Sequence, residues 1–141
     1  RALEAFHAAG KARAIGVSNF NVSQLEQLLA AVKVPPAVNQ CEFSIGNHDD
    51  SALNFSKAQN ITFEAYSPLG GLSHVDVLGD ADVRAIAQRH NKSAAQVALR
   101  WVVQQGVPFV TAAMDPTYMA EDLDIFDFEL GATEMATLAA K

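Results

Sequence analysis

Four short runs, AIGVSNF (14–20), AVNQCEF (37–43), ITFEAYS (61–67) and VPFVT (107–111), constrain this chain most, because they are apolar without strict alternation. A strand covered on one face alternates between apolar and polar residues, whereas a strand covered on both faces has no need to. Between the runs lie stretches with helical spacing. RALEAFHAAGKA places Leu3, Phe6 and Ala9 at helical intervals and ends at Gly10, a left-handed stop. NVSQLEQLLAAV puts Leu25, Leu28 and Leu29 on one face with Ser23 as the expected cap, and DDSALNFSKAQN is expected to be capped by Asp49 or Asp50. DADVRAIAQRH and SAAQVALRWVVQQG predict two consecutive helices, the second capped by Ser93 and stopped by Gly106. Asp115 and Pro116 open another helix, and ATEMATLAA closes the chain with Thr133 as its expected cap. SPLGGLSHVDVLG (67–79) has no periodicity and is expected to be a Gly-rich excursion.

Strands in alternation with helices predict an α/β fold with a parallel sheet covered by helices. An open doubly wound sheet usually carries GxGxxG after its first strand, and AIGVSNF does not, so a (β/α)8 barrel is favoured. A complete barrel needs about 250 residues; the 141 residues here supply about half of one, a single partial domain over 1–141. The first residue is Arg rather than Met, and the chain is expected to begin inside a longer polypeptide. In a barrel the C-terminal strand ends face the active site, which singles out Ser18 and Asn19, Gln40 and Glu42, Tyr66 and Ser67, and the region of Thr111.

The net charge of -6 and pI near 5.0 argue against a nucleic-acid binder, which needs a basic face to displace counterions. No apolar run approaches the roughly 20 residues that span a bilayer, and the N-terminus lacks a signal-peptide pattern, so a cytoplasmic setting without membrane contact is expected. Cys41 is the only cysteine; it forms no internal disulfide and is expected to be a small strand residue rather than a nucleophile. His7, His48, His74 and His90 share no metal-ligand spacing and are expected at the surface or in loops, with no metal site.

In order and spacing, GKARAIGVSNF, PAVNQCEF, FEAYSPLG, SAAQVALRW and EDLDIFDFEL resemble the C-terminal half of the aldo-keto reductases, over almost the whole chain. The resemblance implies strands five to eight, with their helices, of a (β/α)8 TIM barrel whose family members reduce aldehydes and ketones with NAD(P)H. It implies that Ser18, Asn19 and Gln40 hydrogen-bond the nicotinamide carboxamide, and that Tyr66 stacks on the ring. It further implies that Ser67 and Leu69 approach the pyrophosphate, where Gly70 and Gly71 permit close contact, and that Glu121 contacts adenine. The family's catalytic Asp, Tyr, Lys and His all lie in the other half of the barrel, so no residue here is expected to be catalytic.

The family's last strand ends much like IPKS and precedes a helix bearing Arg, and that Lys, Ser and Arg clamp the 2′-phosphate of NADPH. Here the corresponding residues are Ala112, Ala113 and Tyr118, and Asp122 stands where an Asn follows the family's Glu. Residues 106–140 contain no Lys or Arg. The free ribose of NADH is therefore expected in preference to a phosphate monoester. SIG also replaces the family's HPY after NQCEF. The expected function is the C-terminal part of a carbonyl reductase acting on a small carbonyl substrate; the alternative is a non-catalytic cofactor-binding or degenerate module. A half barrel leaves two sheet edges open, and association or aggregation is expected if it is expressed alone.

Overall fold

The computed structural model describes residues 1–71 and 73–141. Leu72, within the Gly-rich excursion, lies outside the described residues. In chain order the elements are α1 (Ala2–Ala8), β1 (Gly16–Ser18), α2 (Val22–Ala31), β2 (Val38–Glu42), α3 (Asp50–Ala58), β3 (Thr62–Tyr66), α4 (Ala81–His90), α5 (Ala94–Gln104), β4 (Phe109–Val110), α6 (Pro116–Leu123) and α7 (Ala132–Ala139). The strands form one sheet in the order β1-β2-β3-β4. β1 pairs parallel to β2, from Gly16 opposite Val38 to Ser18 opposite Gln40. β3 pairs parallel to β4, with Tyr66 opposite Val110. The parallel sheet follows the expectation from the apolar runs.

The strands are shorter than the runs that predicted them, and their burial alternates. In β2, Asn39 and Cys41 are buried while Val38, Gln40 and Glu42 are half-buried; in β3, Phe63 and Ala65 are buried. The alternation arises because one face of the pleat turns Gln40, Glu42 and Glu64 outward from the packed side. Cys41 is a small strand residue, as expected, and burial holds its thiol above the ordinary range.

The chain forms two compact units. The first comprises Arg1–Cys41 and Asp49–Glu64; the second comprises Glu42–His48 and Ala65–Lys141. In the first, α2 packs with α3, and Leu25, Leu53, Ile61 and Phe63 are buried. In the second, α5 packs with α4 and α6, and α4 packs with α7. Its core holds Phe43 stacked on Trp101, with ring centroids 5.4 Å apart, and His48 packs against the same indole at 5.4 Å. His48 lies in a loop, as expected, but His90 ends α4 and bonds Glu134 at 2.8 Å. Among the described residues no helix is long and apolar enough to cross a membrane.

Local capping explains where the helices begin. Asp49 caps α3 by accepting from the N–H groups of Ser51 and Ala52, and Ser93 caps α5 in a reciprocal box with Gln96. Two expected caps were displaced by two residues. Asn21, not Ser23, caps α2, because Gln24 stands three residues on and returns the bond to the Asn21 N–H at 3.0 Å. Gly131, not Thr133, precedes α7, where Glu134 accepts from the Gly131 N–H at 3.0 Å.

Candidate functional site

In the first unit a network of hydrogen bonds joins the end of β1 to the middle of β2. The Gln40 carbonyl accepts from both the Ser18 hydroxyl, at 2.8 Å, and the Asn19 N–H, at 2.9 Å. Asn19 Nδ2 donates in turn to Ser18 Oγ at 3.1 Å. The side-chain amide of Gln40 donates through Nε2 to Glu64 Oε1. Asn19 has φ of 59°, in the left-handed region that costs most residues energy and that Asn tolerates best. That bend ends the strand and turns the backbone at the tip, so Ser18, Asn19 and Gln40, three residues singled out from the sequence, are brought together.

Asn39, immediately before Gln40, was not anticipated. It is fully buried, and its amide bonds the Phe20 backbone in both directions, Nδ2 donating to the carbonyl at 2.8 Å and Oδ1 accepting from the N–H at 3.2 Å. This two-sided clamp holds the chain leaving Asn19. Glu64 was not anticipated either. For Asn39 the general rule applies that a polar side chain needs a partner when buried, whereas Glu64 is only half-buried.

In the second unit, Tyr66 ends β3 and its carbonyl accepts from the Phe43 N–H at 3.3 Å. Ser67 follows with φ of 50°, a second left-handed residue directly after a strand. Such conformations persist where the surroundings over-determine them, and they gather at binding sites. Gly70 has φ of +83°, and an added Cβ would run into the Val75 carbonyl, so this turn requires glycine. At Gly71 an added Cβ would meet no protein atom within 4 Å. The loop is tied down where Glu42 Oε1 accepts from the Ser73 N–H at 2.7 Å.

Among the clefts of this unit, two adjoin at the end of β3. One, of about 390 Å³, is lined by Tyr66, Ser67, Leu69 and Thr111 among others. The other, of about 600 Å³, is lined by Leu69, Leu78, the start of α5, Met114, Tyr118 and Glu121 among others. Leu69 and Ala112 line both, so the clefts adjoin. Each is within the range of roughly 300–1,000 Å³ usual for small-molecule sites. Four more residues singled out from the sequence, Tyr66, Ser67, Leu69 and Glu121, therefore line one pair of clefts.

The charge of the larger cleft is one-sided. Asp115, Glu121 and Asp122 line it, and no Lys or Arg does. Asp115 is already engaged as the cap of α6, accepting from the Thr117 N–H at 2.8 Å. Burial, and then the neighbouring Glu121 charge, raise the Asp122 carboxyl above its ordinary range. An added anion would meet like charge and no cation. Among the described residues no group of three His, Cys, Asp or Glu is placed to hold a metal ion.

Comparison with known proteins identifies relatives that match along almost the whole chain. The model of the Aldo/keto reductase family matches residues 1–141. A D-galacturonate reductase of Fragaria ananassa is 43% identical over 98% of this chain and 44% of its own length. An NADPH-dependent codeinone reductase of Papaver somniferum is 40% identical over the same shares, 98% and 44%. A solved variant of Gox0644 in complex with NADPH superposes with a TM-score of 0.91 at 34% identity, over 99% of this chain and 50% of the other. The chain thus spans about half the length of the relatives it matches, and its four parallel strands correspond to half of a (β/α)8 barrel.

Proposed function

This chain belongs to the aldo/keto reductase family, and we propose that it supplies the nicotinamide-cofactor half of a carbonyl reductase that converts small aldehydes or ketones to alcohols. The observation that carries the reading is the cleft pair whose walls contain Tyr66, Ser67, Leu69 and Glu121. In this reading Tyr66 offers a rigid aromatic face to the nicotinamide ring, and Ser67 and Leu69 approach the pyrophosphate. Ser18, Asn19 and Gln40 orient the carboxamide, for which amide side chains are suited because they both donate and accept. A nicotinamide so held supplies hydride for the carbonyl carbon. The residues of this chain bind and orient; the proton donor to the carbonyl oxygen comes from the other half of the polypeptide.

The donor set fits the dinucleotide better at the ring end than at a 2′-phosphate. A phosphate monoester carries close to two negative charges and is usually met by Lys or Arg. The larger cleft offers Ala112, Ala113 and Tyr118 beside three carboxyl groups. The α6 N-terminus contributes about 1 kcal/mol of attraction at most. We therefore assign the free ribose of NADH to this cleft, a hydroxyl being a donor that a carboxylate can accept, although relatives are named for NADPH.

Equilibrium titration of the full-length polypeptide with NADH and NADPH, followed by protein fluorescence, tests both parts. Binding of a nicotinamide dinucleotide is expected, with NADH at least as tight as NADPH. No binding of either overturns the cofactor reading. Tighter NADPH overturns the ribose assignment alone, and binding without turnover of any carbonyl compound identifies a non-catalytic cofactor module.

A further inference from the structure

We infer that Glu64 is a positioning residue that sets the polarity of the Gln40 amide, so that Gln40 presents its oxygen, and not its nitrogen, to a nicotinamide carboxamide. The inference rests on the cofactor reading above and goes beyond it by assigning a function to a residue outside the expected set.

The chemistry is one of complementary donors and acceptors. A primary amide ends in two atoms of nearly equal size, one a double donor and one an acceptor, and rotation by 180° exchanges them. An ionised carboxylate only accepts. Glu64 Oε1 lies within hydrogen-bond distance of the Gln40 terminus, so the Gln40 nitrogen must face it. The reverse orientation would set oxygen against oxygen with no proton between them.

The framework leaves little freedom to escape this pairing. Gln40 stands in register with Ser18, and its carbonyl is held by both Ser18 Oγ and the Asn19 N–H. Glu64 lies in β3 between Phe63 and Ala65, both buried, so the pleat turns its carboxylate to the opposite face. With Nε2 directed at Glu64, Oε1 is the acceptor that Gln40 offers a ligand. The group it selects is the NH2 of a carboxamide. A ketone or carboxylate in the same place would meet oxygen with oxygen.

The test is a comparison of ligands at equilibrium, independent of turnover. The full-length polypeptide is titrated with a nicotinamide dinucleotide and with its acetylpyridine analogue, which keeps the carbonyl but carries methyl in place of NH2. The unmodified protein should prefer the carboxamide by roughly five- to tenfold, the range of one hydrogen bond. Glu64→Gln, whose own amide can face Gln40 either way round, should reduce the preference to about twofold or less, and Glu64→Asp, still acceptor-only, should keep more of it. A merely structural residue would change both affinities together and leave their ratio unaltered. Equal affinity of the unmodified protein for the two ligands, or an unchanged ratio in a folded Glu64→Gln protein, overturns the inference and leaves the cofactor reading standing. Failure of the unmodified protein to bind either ligand overturns both. Should Glu64→Gln fail to fold, equal affinity of the unmodified protein for the two ligands still overturns the inference, and Glu64→Ala replaces Glu64→Gln in the comparison of ratios.

Discussion

The Ser18–Asn19–Gln40 network and the clefts around Leu69 are built by different physics. The first is a set of directional bonds among neutral amides, a hydroxyl and the backbone, with Glu64 the one charged member. The second is shaped by small and apolar side chains with an acidic rim. Its α6 wall continues into a connector, residues 124–131, that is tied down partly by charge. Lys92 bonds Asp124 at 2.8 Å and Asp127 at 2.7 Å, Gln96 donates to the Asp124 carbonyl at 2.7 Å, and Gln104 pairs with both backbone groups of Leu130 at 3.0 and 2.7 Å. Hydrogen bonds to Asp124 and Asp127 hold the Lys92 ammonium above its ordinary range. The contrast suits the proposed ligand: a carboxamide must be oriented by direction, whereas an adenosine needs mainly area and shape.

The largest expected effect lies in the first region. Asn39→Leu removes both bonds to Phe20 and leaves a backbone donor and acceptor unpaired beside a fully buried side chain. Each such loss costs about 1–3 kcal/mol, so a fall of about 3 kcal/mol in urea unfolding is expected. A fall below about 1 kcal/mol would show that the clamp is replaceable by water or by packing.

A smaller effect tests the second region. Ala112→Lys combined with Tyr118→Arg restores cations at the rim of the larger cleft, where both positions are exposed. The ratio of NADPH to NADH affinity should rise by roughly tenfold, less than a buried pair would yield because solvent screens the new charges. The rise should shrink with added salt. An unchanged ratio in equilibrium titration would mean that this cleft does not receive the 2′-position.

The smallest effect concerns pH. Burial works to raise the Glu134 carboxyl, but hydrogen bonds from His90, Arg89 and the Gly131 N–H outweigh it and hold it at about 2, against an ordinary 4.5. A carboxyl depressed in the folded state contributes stability above pH 4.5 that is lost as pH falls toward 2. Since Arg89 is largely exposed, Glu134→Gln should cost only about 1 kcal/mol at neutral pH, a difference that disappears near pH 2. Chemical denaturation of both proteins across that window checks it, and a difference independent of pH would remove charge from the account.

Much of this was legible in local sequence. The four apolar runs foretold a parallel sheet, and Asp49 and Ser93 were recognisable as caps because each stands directly before a helical pattern. Asn21 and Gly131 were missed although Gln24 and Glu134, three residues on, carried the signal. Attention to strand tips found Ser18, Asn19, Gln40, Tyr66 and Ser67 but passed over Asn39 and Glu64, whose importance comes from partners 19 and 24 residues away. The alternating burial of β2 and β3 was likewise hidden, since a run rich in apolar residues does not announce which face its few polar members will take.

By itself the sequence determined the order of strands and helices, through the period of its apolar residues, and the lack of cations near α6, through simple composition. Only the tertiary structure decided which face Gln40 and Glu64 share, that Asn39 grips Phe20, and that Leu69 lies between two clefts. The physical reason is range. Helical and strand periodicity are set by neighbours within a few residues, whereas a hydrogen bond between side chains on separate strands depends on register, and register exists only once the strands have paired.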